Sequence, residues 1–141
     1  MSRRREIVQD LVVPSAADQI QVVEEQAEQL ARLAGFSEQE CDNIAIAITE
    51  IVANAIFHGN QGDVSKKVHV RFTLTEQDFI IAIRDEGFGF DPTSVADPLQ
   101  PENLLKDRGR GIFIVRTLMD DVVFRNADTG TEVILTKRLL R

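Results

Sequence analysis

Cysteine is almost absent from this 141-residue chain: Cys41 stands alone, so neither an intrachain disulfide nor a cysteine metal cluster can form. Long apolar runs are missing too, and none approaches the ~20 residues a membrane-spanning helix needs. The basic N-terminus, Met1 to Arg5, is not followed by an apolar stretch long enough for a signal peptide. Cationic charge is in deficit, with 16 Lys and Arg against 23 Asp and Glu, for a net charge of -7. Polyanion binding draws its strength from cationic groups that release phosphate counterions, so the balance argues against nucleic acid as a partner. Internal repeats and low-complexity tracts are also lacking. What remains is a single globular domain over 1–141, with 1–5 as a flexible arm, expected in the cytoplasm with no membrane contact.

Residues 6–13 alternate loosely and predict a short strand ahead of Pro14. Ser15, with Asp18 three residues on, reads as the N-cap of a helix running to about Gly35. Its apolar stripe is Ile20, Val23, Ala27, Leu30 and Leu33 or Ala34. Ser37-Glu-Gln-Glu40 is a second capping signature, and its helix reaches about His58 before Gly59 ends it. Ile44, Ile46, Ile48, Ile51, Val52, Ile56 and Phe57 make that helix apolar on nearly every side, the pattern of burial in a core. Val68, Val70, Phe72 and Leu74 alternate with polar residues, and Phe79, Ile81 and Ile83 alternate again after a turn at 75–78, so the two runs predict a hairpin. Residues 86–107 hold two glycines and three prolines, a long irregular connection. A helix is expected from Gly111, with Ile112, Val115, Leu118 and Met119 inward, and strands near 121–126 and 131–137 close the chain. The sum is an α+β two-layer sandwich: a mixed, mainly antiparallel sheet with helices on one face.

Glu50 and Asn54 are polar exceptions on the second helix, four residues apart and hence on one face, with His58 one step further. A solvated stripe or a structural hydrogen bond accounts for them; so does the border of a polar cavity. In the second case Asn54 offers a hard oxygen suited to Mg²⁺, whose other ligands come from phosphates and water. A carboxylate one turn away can then act as general base toward a hydroxyl. His58 reads as structural. Asp85 ends a strand, and Gly87 and Gly89 follow it. That is a simple turn, or a place where a flat ligand presses on backbone without Cβ atoms. Ionised, Asp85 can only accept hydrogen bonds, which suits the exocyclic amine of adenine. Gly109-Arg-Gly111 precedes the third helix, either as a flexible basic loop or as a helix N-terminus whose N–H groups face phosphate. Lys106, Arg108 and Arg110 add positive charge there. Neither the third glycine of a dinucleotide fingerprint nor a GxxxxGK[ST] loop is present, so any nucleotide is held another way.

In this order the segments resemble the Bergerat-type ATP-binding fold shared by DNA gyrase, the Hsp90 chaperones, histidine kinases and the mismatch-repair MutL proteins. More specifically they resemble the small anti-sigma-factor serine/threonine kinases of bacteria, the sporulation and general-stress class, over about residues 15–138. The resemblance rests on Thr49-Glu-Ile-Val-Ala-Asn-Ala-Ile-Phe-His-Gly59, Ile83-Arg-Asp-Glu-Gly-Phe-Gly89, Gly109-Arg-Gly-Ile112, Thr117-Leu-Met-Asp-Asp-Val122 and Gly130-Thr-Glu-Val-Ile-Leu-Thr-Lys137. It implies ATP and Mg²⁺ as cofactors. Glu50 matches the catalytic acid that deprotonates a protein serine, and Asn54 matches the Mg²⁺ ligand. Asp85 matches the carboxylate on the adenine amine, Gly87 and Gly89 its surrounding backbone, and Thr131 a threonine near the base. Gly109 and Gly111 match glycines of a lid, here 91–108, that closes on the phosphates. Asp107 stands where some relatives carry an arginine, which passes the phosphate contact to Arg108 or Lys106, with Arg110 beside them.

The implied protein is a homodimeric kinase that sequesters a sigma factor and phosphorylates a STAS-type anti-anti-sigma antagonist. Residues 15–34 are the candidate dimer or sigma surface. Two other readings stay open: a switch kinase of the same fold that phosphorylates a STAS protein without binding sigma, and an ATP-binding regulatory module without catalysis. Glu50 speaks against the last, because binding alone needs no base. A detached histidine-kinase catalytic domain would need a helical module bearing the acceptor histidine, for which the chain has no room.

Overall fold

The computed structural model of the chain describes residues 6–87, 107–127 and 129–139, with backbone alone at 107–110. The expected arm at 1–5 and the lid segment 91–106 lie outside the described residues. Five strands and three helices follow in the order β1 (Ile7–Pro14), α1 (Gln19–Ala34), α2 (Glu38–Asn54), β2 (Lys67–Leu74), β3 (Asp78–Arg84), α3 (Asp107–Leu118), β4 (Asp121–Asn126) and β5 (Thr131–Arg138). The sheet order is β1-β2-β3-β5-β4. Every described pairing is antiparallel, so the sheet is not mixed.

Alternation decides which face the helices cover. Val68, Val70, Phe72 and Leu74 of β2 are buried with Phe79, Ile81 and Ile83 of β3 and with Val133 and Leu135 of β5. These rows share one face because side chains two apart along a strand point the same way. Against them pack Val23, Ala27, Leu30, Ala31 and Ala34 of α1, then Ile44, Ile48, Ile51 and Val52 of α2, then Ile112, Val115 and Met119. Phe79 sits at the centre, its ring 6.3 Å from those of both Phe36 and Phe72. Phe79→Ala is therefore expected to cost about 3–5 kcal/mol, read as a lower urea midpoint with an unchanged slope. That is a large part of the ~5–15 kcal/mol that holds a typical domain together.

The opposite face carries no helix among the described residues. A shallow depression of about 460 Å³ lies there, lined by residues that include Val12, Ile80, Ala82 and Ile134. Two ion pairs cross it, Arg71 with Asp10 at 2.7 Å and Arg125 with Glu132.

Four local expectations need correction. Ser15 does not cap α1: the helix starts at Gln19 after Asp18, whose side chain makes no capping bond. The Ser15 hydroxyl instead donates to the Lys66 carbonyl at 2.7 Å and accepts from Asn60 Nδ2 at 2.9 Å, long-range bonds that a local pattern does not encode. The capping box at Ser37 and Glu40 does form, with both reciprocal bonds present. At its other end α2 gives way to a π-helical turn, Ala55–Gly59, in which Asn60 N–H bonds the Ala55 carbonyl at 2.9 Å. Gly59 thus does not end the helix as a left-handed residue; the positive φ angles fall at Gln61 and Gly62. The second helix is also not buried on nearly every side, because Ile46 and Phe57 are about half exposed. Their flank points away from the sheet. Finally, α3 begins at Asp107 rather than Gly111, so both of its glycines lie inside its first turns.

Candidate active site

The row Phe79, Ile81, Ile83 continues into Asp85, which by alternation also points to the helix side. Asp85 is 4% exposed, and a carboxylate so deep in a core is costly unless hydrogen-bonded. Its Oδ1 accepts the backbone N–H of Gly87 and that of Thr131, each at 3.0 Å. Its own N–H donates to the Thr131 carbonyl at 3.0 Å, which ties the end of β3 to the start of β5. Both described donors go to Oδ1, while Oδ2 lies against Gly59. The backbone packs closely around this group. A Cβ on Gly130 would lie 2.1 Å from the Asp85 carbonyl oxygen, and one on Gly87 would lie 2.0 Å from that of Gly59.

The next residue is fixed as firmly. Asn60 is fully buried: its Oδ1 accepts the Glu86 N–H at 2.7 Å, and its Nδ2 donates to Ser15 Oγ and, at 3.0 Å, to the Lys67 carbonyl. The Glu86 carboxylate in turn accepts the Lys67 N–H at 2.9 Å and meets His69 Nε2 at 2.6 Å. Those two contacts, His69 first, hold its pKa below the ordinary glutamate value. Spacing alone gives Asn60 no role. The signal is a buried amide whose partners come from three distant segments.

Asn54 borders a small cleft with Ile51, Ala55, Ile83, Asp85, Phe124, Thr131 and Val133. The cleft holds about 10 Å³, room for about one water, so a nucleobase enters only if side chains at its mouth move. The 460 Å³ depression on the far face is larger, but it lacks Glu50, Asn54 and Asp85. Chemistry, not size, selects the cleft. Asn54 Nδ2 is buried and without a hydrogen-bond partner among the described residues. Buried amides are rarely left so, and the orphan fits a site built for a polar ligand. Phe124, missed in the sequence, closes the wall from β4.

Glu50 is half-buried one turn before Asn54. A Cβ on Gly111 would lie 2.6 Å from Glu50 Oε2, so α3 rests directly against the acid. The fold therefore brings Glu50 to Gly111, and Asn54 to Asp85 and Thr131, with Gly87 under the carboxylate. Arg108, Gly109 and Arg110 lie in the first turn of α3, where free backbone N–H groups are those of 107–110. Gly89 and Lys106 lie outside the described residues. His58 is exposed on the π-helical turn and takes no part. Among the described residues no three His, Cys, Asp or Glu side chains cluster as a metal site.

Known proteins resemble the chain in sequence and in fold. The chain is 27% identical over 134 residues to a serine-protein kinase RsbW of Oceanobacillus iheyensis, covering 91% of this chain and 84% of that one. A protein of the same name from Listeria monocytogenes is 29% identical over 114 residues, covering 77% and 72%. Among solved structures, the RsbU and RsbW domains of a Mycobacterium tuberculosis protein superpose with a TM-score of 0.70 at 20% identity, covering 96% of this chain and 33% of that one. The mycobacterial sensor histidine kinase MprB superposes at 0.60 and 14% identity, covering 94% and 97%. At those identities the likeness is one of fold. The model of the histidine kinase-like ATPase domain matches residues 13–137, nearly the whole chain. This chain belongs to the histidine kinase-like ATPase domain family, whose name carries the use of ATP.

Proposed function

We propose that the chain is an ATP-dependent protein serine kinase acting on a STAS-type anti-anti-sigma protein, and that it also sequesters a sigma factor. The observation that carries the kinase reading is Glu50 held against Gly111, one helical turn from the orphaned amide of Asn54. When bound, Mg·ATP supplies the phosphoryl group and the charge neutralisation that phosphoryl transfer chiefly needs. Asn54 would hold the metal through its side-chain oxygen. Asp85 would accept the adenine amine on the oxygen left free by Gly87 and Thr131. The first-turn N–H groups of α3 would hold phosphate, with positive charge for it available in the sequence from Lys106, Arg108 and Arg110. Glu50 would take the proton of the incoming serine hydroxyl, whose oxygen would bond the transferred phosphorus as the bond to ADP breaks and ADP leaves.

The RsbW proteins, serine-protein kinases by name, support the reaction class. Homodimerisation and a cytoplasmic location belong to the same proposal. No helix among the described residues is long and apolar enough to cross a membrane. The sheet face that no described helix covers exposes Val8, Val12 and Val123, and α1 exposes Val22 and Leu33; both offer apolar side chains to a second subunit.

The test is partner capture from a bacterial lysate with and without ATP, followed by assay of each captured small protein for phosphoserine. A sigma factor retained together with a phosphorylated STAS protein is the expected result. Phosphorylation without sigma capture leaves a switch kinase; ATP-dependent capture without phosphoserine leaves a regulatory module.

A further inference from the structure

Gly59 has no part in the nucleotide chemistry described above, yet it lies against the group on which that chemistry depends. Its φ is not positive, so backbone conformation does not call for glycine. Space does. A Cβ at Gly59 would lie 2.0 Å from Asp85 Oδ2, 2.4 Å from Cγ and 2.9 Å from Cβ. Real Cβ atoms do not approach so closely, and one side has to give. Asp85 is held by two N–H bonds to Oδ1 and by its own N–H to Thr131, while Glu86 behind it is held by Asn60. The turn around Gly59 is held as well: Asn60 N–H, just after it, bonds the Ala55 carbonyl at 2.9 Å, and Gly62 N–H bonds that of Ile56 at 2.8 Å. The Gly59 carbonyl is also the surface on which Gly87 rests.

We propose that Gly59 is a positioning residue that sets the base preference of the nucleotide site by leaving Asp85 Oδ2 in place to accept the 6-amino group of adenine. The proposal rests on the reading of Asp85 as the adenine-binding carboxylate. A side chain at 59 pushes Oδ2 aside, and the site then loses its preference for a purine carrying that amine.

The experiment measures the affinities of ATP and purine riboside triphosphate, which lacks the 6-amino group, for the full chain and for Gly59→Ala, Asp85→Gly and the double variant. Wild type should prefer ATP by about ten- to a hundred-fold, the range for a hydrogen bond to a charged group. Gly59→Ala should bring that ratio close to one. Adding Gly59→Ala to Asp85→Gly, which removes all three overlapping atoms, should change the ratio no further, the non-additivity expected of residues in contact. A merely structural role for Gly59 weakens both nucleotides alike, leaves the ratio intact and overturns the proposal. If Asp85→Gly itself keeps the preference, the reading of Asp85 fails; if it abolishes the preference while Gly59→Ala keeps it, only the Gly59 proposal fails. Should Gly59→Ala fold poorly, the double variant should recover its melting temperature, and no recovery also overturns the proposal.

Discussion

Glu50→Gln is expected to lower phosphate transfer to protein serine by about 10²–10⁴-fold, the usual loss for a general base, while ATP affinity stays within about threefold. Glutamine keeps the length and shape of the side chain, so the contact with Gly111 and the packing of α3 on α2 survive. It cannot take up a proton, and that is the single property removed. Glu50 is only half-buried, with solvent on the Thr49 side, so the substitution strands no charge and opens no cavity. Thermal unfolding of the nucleotide-free protein should accordingly be unchanged. Single-turnover transfer with saturating ATP separates chemistry from binding. Equal transfer rates in the two proteins remove Glu50 from the role of base and favour a regulatory module.

A second large effect is expected at Asp85→Asn: ATP should bind about 10–100-fold more weakly, with the loss concentrated on the 6-amino group. The physical cause is polarity, not size. Two backbone N–H groups already point at Oδ1, so the asparagine must present its carbonyl oxygen to Gly87 and Thr131. Its NH₂ then occupies the Oδ2 position and faces an amine, donor against donor. A purine with a carbonyl at C6 accepts from that NH₂, so inosine triphosphate should gain on ATP in direct competition. Unchanged nucleotide affinity sinks the assignment of Asp85 to the base. Glu50→Gln and Asp85→Asn thus separate chemistry from recognition: one loses rate with binding intact, the other loses binding.

The elements were legible in the sequence wherever a rule of short range governs them. Val68 to Leu74 and Phe79 to Ile83 alternate because strand side chains alternate, and both strands formed with the expected inward rows. Ser37 and Glu40 cap α2 because each needs only a partner three residues away. Ser15 and Asp18 carry a similar pattern, but the Ser15 hydroxyl is taken by Lys66 and Asn60, 51 and 45 residues away. Gly59 looked like a helix stop because glycine often is one; the π-helical turn and the crowding at Asp85 give it a different reason. The half-exposed Ile46 and Phe57 were misread because composition around α2 says nothing about which flank the sheet and neighbouring helices cover.

The sequence by itself determined the mainly antiparallel α+β framework, the inward rows of β2 and β3 and the residue types available for nucleotide chemistry. Tertiary structure alone decided that Thr131 reaches Asp85 Oδ1, that Gly111 meets Glu50, that Asn54 Nδ2 has no hydrogen-bond partner among the described residues, and that Asn60 pins the residue after Asp85. Periodicity and capping report on neighbours within about four residues, whereas the Asn60–Glu86, Asp85–Thr131 and Glu50–Gly111 contacts join segments 26 to 61 positions apart. Only the closure of the sheet and the packing of α2 and α3 fix those distances, to within the width of a missing methyl group.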